Sequence, residues 1–163
     1  MKVSAGRVDH SALRTNQATI IAVLILAFVV DLPPLVTFVA GVMLLGSLIG
    51  RPGFLPVYAG LRAVGAVQPL VVTDQAAPHR FAQTLGGVFL VLSTAAYLAG
   101  LPDFSWLLAW LVVALAALNL FAGFCVGCAV YYWFNRLGLP GFNQPPPPGT
   151  TPGMRPSNSS DNA

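Results

Sequence analysis

Charge is what this chain of 163 residues has least of. Only 8% of its residues carry a formal charge, against about 25% in an ordinary soluble domain. With 56% apolar residues it cannot hide its hydrophobic surface from water, so part of its solvent must be lipid. Lysine is absent after Lys2 and no basic run occurs, which removes nucleic acid as a partner despite a net charge of +3. There is no phosphate loop, no serine–histidine pairing and no paired carboxylates, so kinase, hydrolase and glycosidase readings have nothing to stand on. Two cysteines supply no disulfide framework. No small-x-small cleavage site follows the first apolar run, and a second run comes straight after it, so the first is expected to remain as an uncleaved span.

What is present is a series of apolar runs broken by turn residues. The first run, 18–30, ends at Asp31 and Pro33–Pro34, which force a turn because proline lacks a donor and clashes with the preceding helical turn. A second run follows to Gly50, a third covers 81–100, and a fourth runs from Phe104 to Gly138 with only the turn "LPD" before it. The predicted fold is an all-α integral membrane protein, a four-helix transmembrane bundle over residues 1–139. Its spans are expected at about 12–31, 34–50, 81–99 and 105–127, the last helix continuing to about 136. Residues 54–72 between spans two and three are expected to lie at the interface, since a crossing would put Arg62 near the bilayer centre at about 2.5–3.5 kcal/mol. Residues 140–163 are rich in proline, glycine and serine and read as a disordered tail. Arginines occupy alternate flanks: Arg7 and Arg14, then Arg51, Arg62 and Arg80, then Arg136 and Arg155, whereas the two short turns hold Asp31 and Asp103 and no base. The positive-inside rule then places both termini in the cytoplasm. Trp106 and Trp110 would mark the outer interface, and Tyr131, Tyr132 and Trp133 the inner one.

This topology gathers polar side chains at one membrane surface. His10, Arg14 and Gln17 share a face of the first helix, beside Asn16. His79, Arg80 and Gln83 open the third span, and Cys125 and Cys128 sit at the inner end of the fourth. In a continuous helix the cysteine pair would lie towards the C-terminal end, where the dipole disfavours thiolate, and i,i+3 β-carbons stand wider than a disulfide tolerates. Asn119 would face the opposite side of that helix from Cys128. Gly123 and Gly127 are in small-x-x-x-small register, so packing explains the cysteines as readily as chemistry does. A metal reading would join Cys125 and Cys128 to His10 and His79, a ligand set suited to zinc but drawn from three separate helices. Packing, redox and metal readings all stay open on the residues alone.

Three stretches together carry a resemblance: "VDHSALRTNQ" (8–17), "APHRFAQTLGGVF" (77–89) and "FCVGCAVYY" (124–132). They resemble the bacterial membrane family named domain of unknown function 4395, with Asp9, Arg14, Asn16 and Gln17 before the first span, Pro78, Arg80, Phe81 and Gln83 at the third, and Cys125, Gly127 and Cys128 near the end. His10 stands where many relatives have proline. The resemblance implies a bacterial cytoplasmic membrane and, because relatives lie beside thioredoxin-like and sulfurtransferase genes, a thiol or sulfur role with such a protein as partner. The expectation is a redox pair, Cys125 and Cys128, with Arg14 and Arg80 stabilising thiolate and Asn16, Gln17 and Gln83 hydrogen-bonding, and no cofactor. A non-enzymatic subunit with structural cysteines is the alternative and a small-solute or sulfur-species carrier the third. Homo-oligomerisation is left open.

Overall fold

A computed structural model describes residues 6–146 and 149–155. The elements in chain order are β1 (Gly6–Asp9), α1 (His10–Val29), α2 (Pro33–Ile49), α3 (Leu55–Ala63), β2 (Val71–Asp74), α4 (Ala76–Leu98), α5 (Pro102–Ala122) and α6 (Val126–Arg136). Three helices, α1, α4 and α5, are long and apolar enough to cross a membrane. The expected count of four is not met, because α2 has 17 residues and stops at Gly50 in the left-handed conformation, just before Arg51 and Pro52.

Local chemistry sets most of these boundaries. Asp9 caps α1 by accepting from the backbone N–H of Ser11 and Ala12, at 3.0 and 3.4 Å. Asp31 takes a positive φ of 49° in the turn before Pro33, and prolines open α2, α3 and α5, where a missing N–H costs nothing. Along the bundle Leu24, Ala27, Val39 and Leu90 are buried, whereas Leu48, Leu98 and Phe121 are each more than three-quarters exposed. A bundle with a dry interior and an apolar exterior is what a lipid solvent requires. One polar pair in the interior joins α4 to α5: the Ser93 hydroxyl donates to the Ser105 carbonyl at 2.8 Å.

A two-stranded ribbon departs from the all-α expectation. β1 pairs antiparallel with β2, Arg7 opposite Thr73 and Val8 opposite Val72. The β-branched run Val71–Val72–Thr73 was the available signal. The ribbon brings the starts of α1 and α4 to one end of the bundle, so α2 is the segment by which the chain returns there. α3 occupies only the first half of the segment expected at the interface. It is held to that same end by Tyr58, whose hydroxyl donates to the Asp9 carboxylate at 2.5 Å, and by Asn16, whose Oδ1 accepts from Phe54 N–H at 2.9 Å. At the far end Phe28 packs edge-on against Trp106 and Trp110, with ring centroids 5.2 and 5.4 Å apart.

The expected helix from 105 to about 136 is in fact two helices. Gly123 at φ 67° ends α5 in a left-handed cap, Phe124 and Cys125 are extended, and α6 restarts at Val126. α6 then lies across α4, where Gly127 allows close approach: a β-carbon there would stand 2.6 Å from that of Ala82. Within the segment expected to be a loose tail, Phe142 packs on Phe81, Tyr131 and Phe134, and Asn135 donates to the Phe142 carbonyl. Residues 1–5, 147–148 and 156–163, including Lys2 and part of the tail, lie outside the described residues.

Candidate functional site

The break at Gly123 changes the chemistry of the cysteine pair. Cys125 is the N-cap of α6, with extended backbone at φ −96° and ψ 102°, and its Sγ accepts from the Cys128 N–H at 3.2 Å. The Cα atoms are 5.2 Å apart and the two sulfurs are joined in a disulfide. A continuous helix would put the pair towards its C-terminal end, where the turn would have to distort for a bond to form. The left-handed cap at Gly123 ends that helix before the cysteines. The pair instead occupies the end of a helix where the dipole favours thiolate.

Around the disulfide stands a hydrogen-bonded chain that the sequence reading recognised only in part. Nδ1 of His79 lies 3.6 Å from Cys128 Sγ, and Nε2 of the same ring lies 2.9 Å from Asp74 Oδ2. His10 Nε2 reaches that oxygen at 3.0 Å. Asp74 Oδ1 accepts from the Gln75 N–H at 2.7 Å. Asp74 therefore serves two imidazoles while almost wholly buried. Burial pushes its carboxyl up, but hydrogen bonds from His10 and His79, the nearby His79 charge and the Gln75 amide outweigh it and hold the group well below the usual carboxylate range. An ionised Asp74 accepts N–H from Nε2 of each histidine, so whenever the His79 ring is neutral its lone pair is at Nδ1, aimed at sulfur. Asp74 stands in the sequence only as a loop charge beyond the segment 54–72 expected at the interface; the pairing of β1 with β2 brings it to His10.

The other predicted site residues divide. Gln17, Asn16 and Gln83 line one cavity together with Cys125. Asn16 is committed to Phe54, and Gln83 donates to the Met43 carbonyl at 2.8 Å. Arg80 does not turn to the sulfurs. Its Nε and Nη2 donate to the Ser47 carbonyl at 3.2 and 3.0 Å, satisfying the C-terminal end of α2. Arg14 is exposed. Asn119, expected on the far face, lines the cavity with Cys125, because the chain reverses at Gly123. The four proposed metal ligands do not form one set. His79 with both cysteines, and His10 with Asp74 and His79, make two overlapping groups, each with ligand atoms within 4.8 Å.

The polar side of the disulfide is covered by residues 153–155. Cys125 N–H donates to the Gly153 carbonyl at 2.8 Å, Arg155 N–H to the Gly123 carbonyl at 3.0 Å, and Arg155 Nη2 to the Asn119 carbonyl at 3.1 Å. Gly153, at φ 87°, fits where a β-carbon would come within 2.8 Å of Ala129 Cβ and 3.1 Å of the Cys125 carbonyl. Gly153→Val is accordingly expected to lift this segment and to speed iodoacetamide labelling of the reduced cysteines by about tenfold, the loss of a few backbone contacts. An unchanged labelling rate in membranes would show that the segment does not limit access.

No curated protein and no solved structure matches the chain. A family profile does, over residues 8–136, a stretch that takes in His10, Asp74, His79, Cys125 and Cys128 and ends before the segment that covers them. The chain belongs to the DUF4395 family, a domain of unknown function.

Proposed function

We propose that this protein is a membrane-embedded thiol–disulfide exchange component working through Cys125 and Cys128. The observation that carries the reading is the position of His79, between Cys128 Sγ and the buried Asp74 carboxylate, beside a disulfide at a helix N-terminus. A packing seam has no need of that arrangement.

The chemistry divides between the two sulfurs. In the reduced form the α6 N-terminus and the Cys128 N–H favour thiolate at Cys125, which attacks a disulfide in the partner. One partner sulfur bonds to Cys125 and the other leaves as thiolate. Cys128 then gives its proton to His79 Nδ1 and attacks Cys125 Sγ, forming the internal disulfide and releasing the partner's second thiol. In the opposite direction an incoming thiolate attacks Cys125, and His79 returns the proton to the departing Cys128. The activating role assigned to Arg14 and Arg80 passes to the helix end and to His79.

In this reading α2 is a fourth, shorter crossing, and the cysteine end faces the bacterial cytoplasm, supported by the arginines on the flanks that meet there and the acidic turns at the other end. A thioredoxin-like or sulfurtransferase protein is the fitting partner. Reduced, His79 and the two thiolates would also offer three ligands to zinc, the one alternative with a geometric basis.

Alkylation of native membranes tests these points together. With a maleimide, before and after reduction, both thiols are expected to be protected until reductant is added and reactive afterwards. A membrane-impermeant maleimide should label only inverted vesicles. Thiols found reduced under every oxidant would remove the exchange reading, and thiols released by chelator but not by reductant would establish the metal instead.

A further inference from the structure

We infer that the cavity between α1, α4 and α5 receives the ring of a lipid-soluble quinone that exchanges two electrons with Cys125 and Cys128. This rests on the exchange reading and names the second redox partner.

The cavity has a volume of about 110 Å³. At its shallow end lie Cys125, Gln17 and Asn119, and at its deep end Ile20, Phe89 and Val112. Ile20 is ten residues along α1 from His10, about 15 Å at the helical rise, so the space reaches roughly to mid-bilayer. Phe89 in its wall is only half-buried and is a lining side chain past which a ring could enter from the lipid. A water-soluble thiol has no use for such walls. The volume is somewhat below the roughly 150 Å³ of an apolar cavity that accepts benzene, so the leading edge of a quinone ring would enter while its substituents and tail stay in the lipid.

The polar atoms supply the second argument. Gln17 Oε1 is buried with no hydrogen-bond partner among the described residues. A carboxamide offers both an acceptor and a donor, and a quinone needs both in turn, its carbonyls accepting before reduction and its hydroxyls donating afterwards. Among membrane-soluble carriers, quinones take up two electrons and two protons, which is what a dithiol releases. The balance is complete: two S–H bonds break, the Cys125–Cys128 bond forms, and both carbonyl oxygens of the ring become hydroxyls. The segment at 153–155 lies over the polar approach to Cys125 and not over this one.

The test uses the full-length protein in lipid nanodiscs, reduced with dithiothreitol, freed of it and mixed anaerobically with decylubiquinone. One quinone is expected to be reduced for each pair of thiols lost. Ala116→Phe, which fills the cavity, should abolish that reaction while leaving oxidation by glutathione disulfide at the wild-type rate, which also reports that the variant is folded. Gln17→Leu should slow quinone reduction by about tenfold, the effect of one hydrogen bond. Wild-type protein that reacts with glutathione disulfide but not with the quinone would overturn this inference and leave the exchange reading standing. Equal quinone rates in wild type and Ala116→Phe would place the reaction elsewhere and overturn it too. Failure with both oxidants would remove the exchange reading and the inference with it.

Discussion

Cys128→Ala protein, reduced and then exposed to glutathione disulfide, is expected to accumulate a glutathione adduct on Cys125 and to go no further. Wild-type protein under the same conditions should pass through that adduct to the internal disulfide. The expectation follows from the unequal settings of the two sulfurs. Cys125 caps α6 and accepts the Cys128 N–H, the position that favours thiolate and first attack. Cys128 is 3.6 Å from His79 Nδ1 and supplies the second attack. Turnover of the variant should fall to the level of empty membranes, while its abundance changes little, because alanine suits a close-packed helix contact. Intact mass before and after dithiothreitol reads the adduct and its reversal. The reciprocal variant, Cys125→Ala, should accumulate no adduct. Equal adducts on both single variants would contradict the assignment of roles, and a double-alanine variant indistinguishable from wild type in every assay would return the cysteines to a packing role.

The second large effect is expected at the buried carboxylate and its imidazole. His79→Ala should slow the conversion of adduct to internal disulfide by about 10²–10⁴-fold, the usual contribution of a positioned base, while the first attack by Cys125 keeps nearly its full rate. That split distinguishes a base for Cys128 from a generally weakened fold. Asp74→Ala should slow the same step, because His79 loses the acceptor that fixes its tautomer, and should also destabilise the protein by about 3 kcal/mol. The stability loss arises because two imidazole N–H groups buried against Asp74 lose their partner at once. Stopped-flow thiol assays and denaturant titration in detergent would measure the two effects separately. A first attack slowed as much as the second in His79→Ala would rule out the division of labour.

How much of this was legible in advance differs from element to element. Low charge and long apolar runs fixed a membrane class, since no arrangement of these residues could be soluble. Pro33–Pro34 marked where α2 begins, because a proline's missing donor has the same consequence in any context, whereas Pro102, expected in a turn, opens α5. The meeting of His10, His79 and the cysteine pair at one end followed from counting spans. Gly123 suits a helix stop as well as a packing seam with Gly127, and its left-handed cap is what puts the cysteines at a helix N-terminus. Asp74 lay beyond local reading altogether. Its partner His10 is 64 positions away, and they meet because strand pairing between Gly6–Asp9 and Val71–Asp74 is a long-range contact with no local periodicity to announce it. The placement of Gly153 over Cys125 likewise depends on the shape of a groove formed by other elements. Composition and turn residues therefore determined the solvent, most helix starts and the end of the molecule where the cysteines lie. Tertiary packing alone decided which groups touch the sulfurs, because hydrogen-bond geometry is set by side chains that the chain brings together only after its ends have paired.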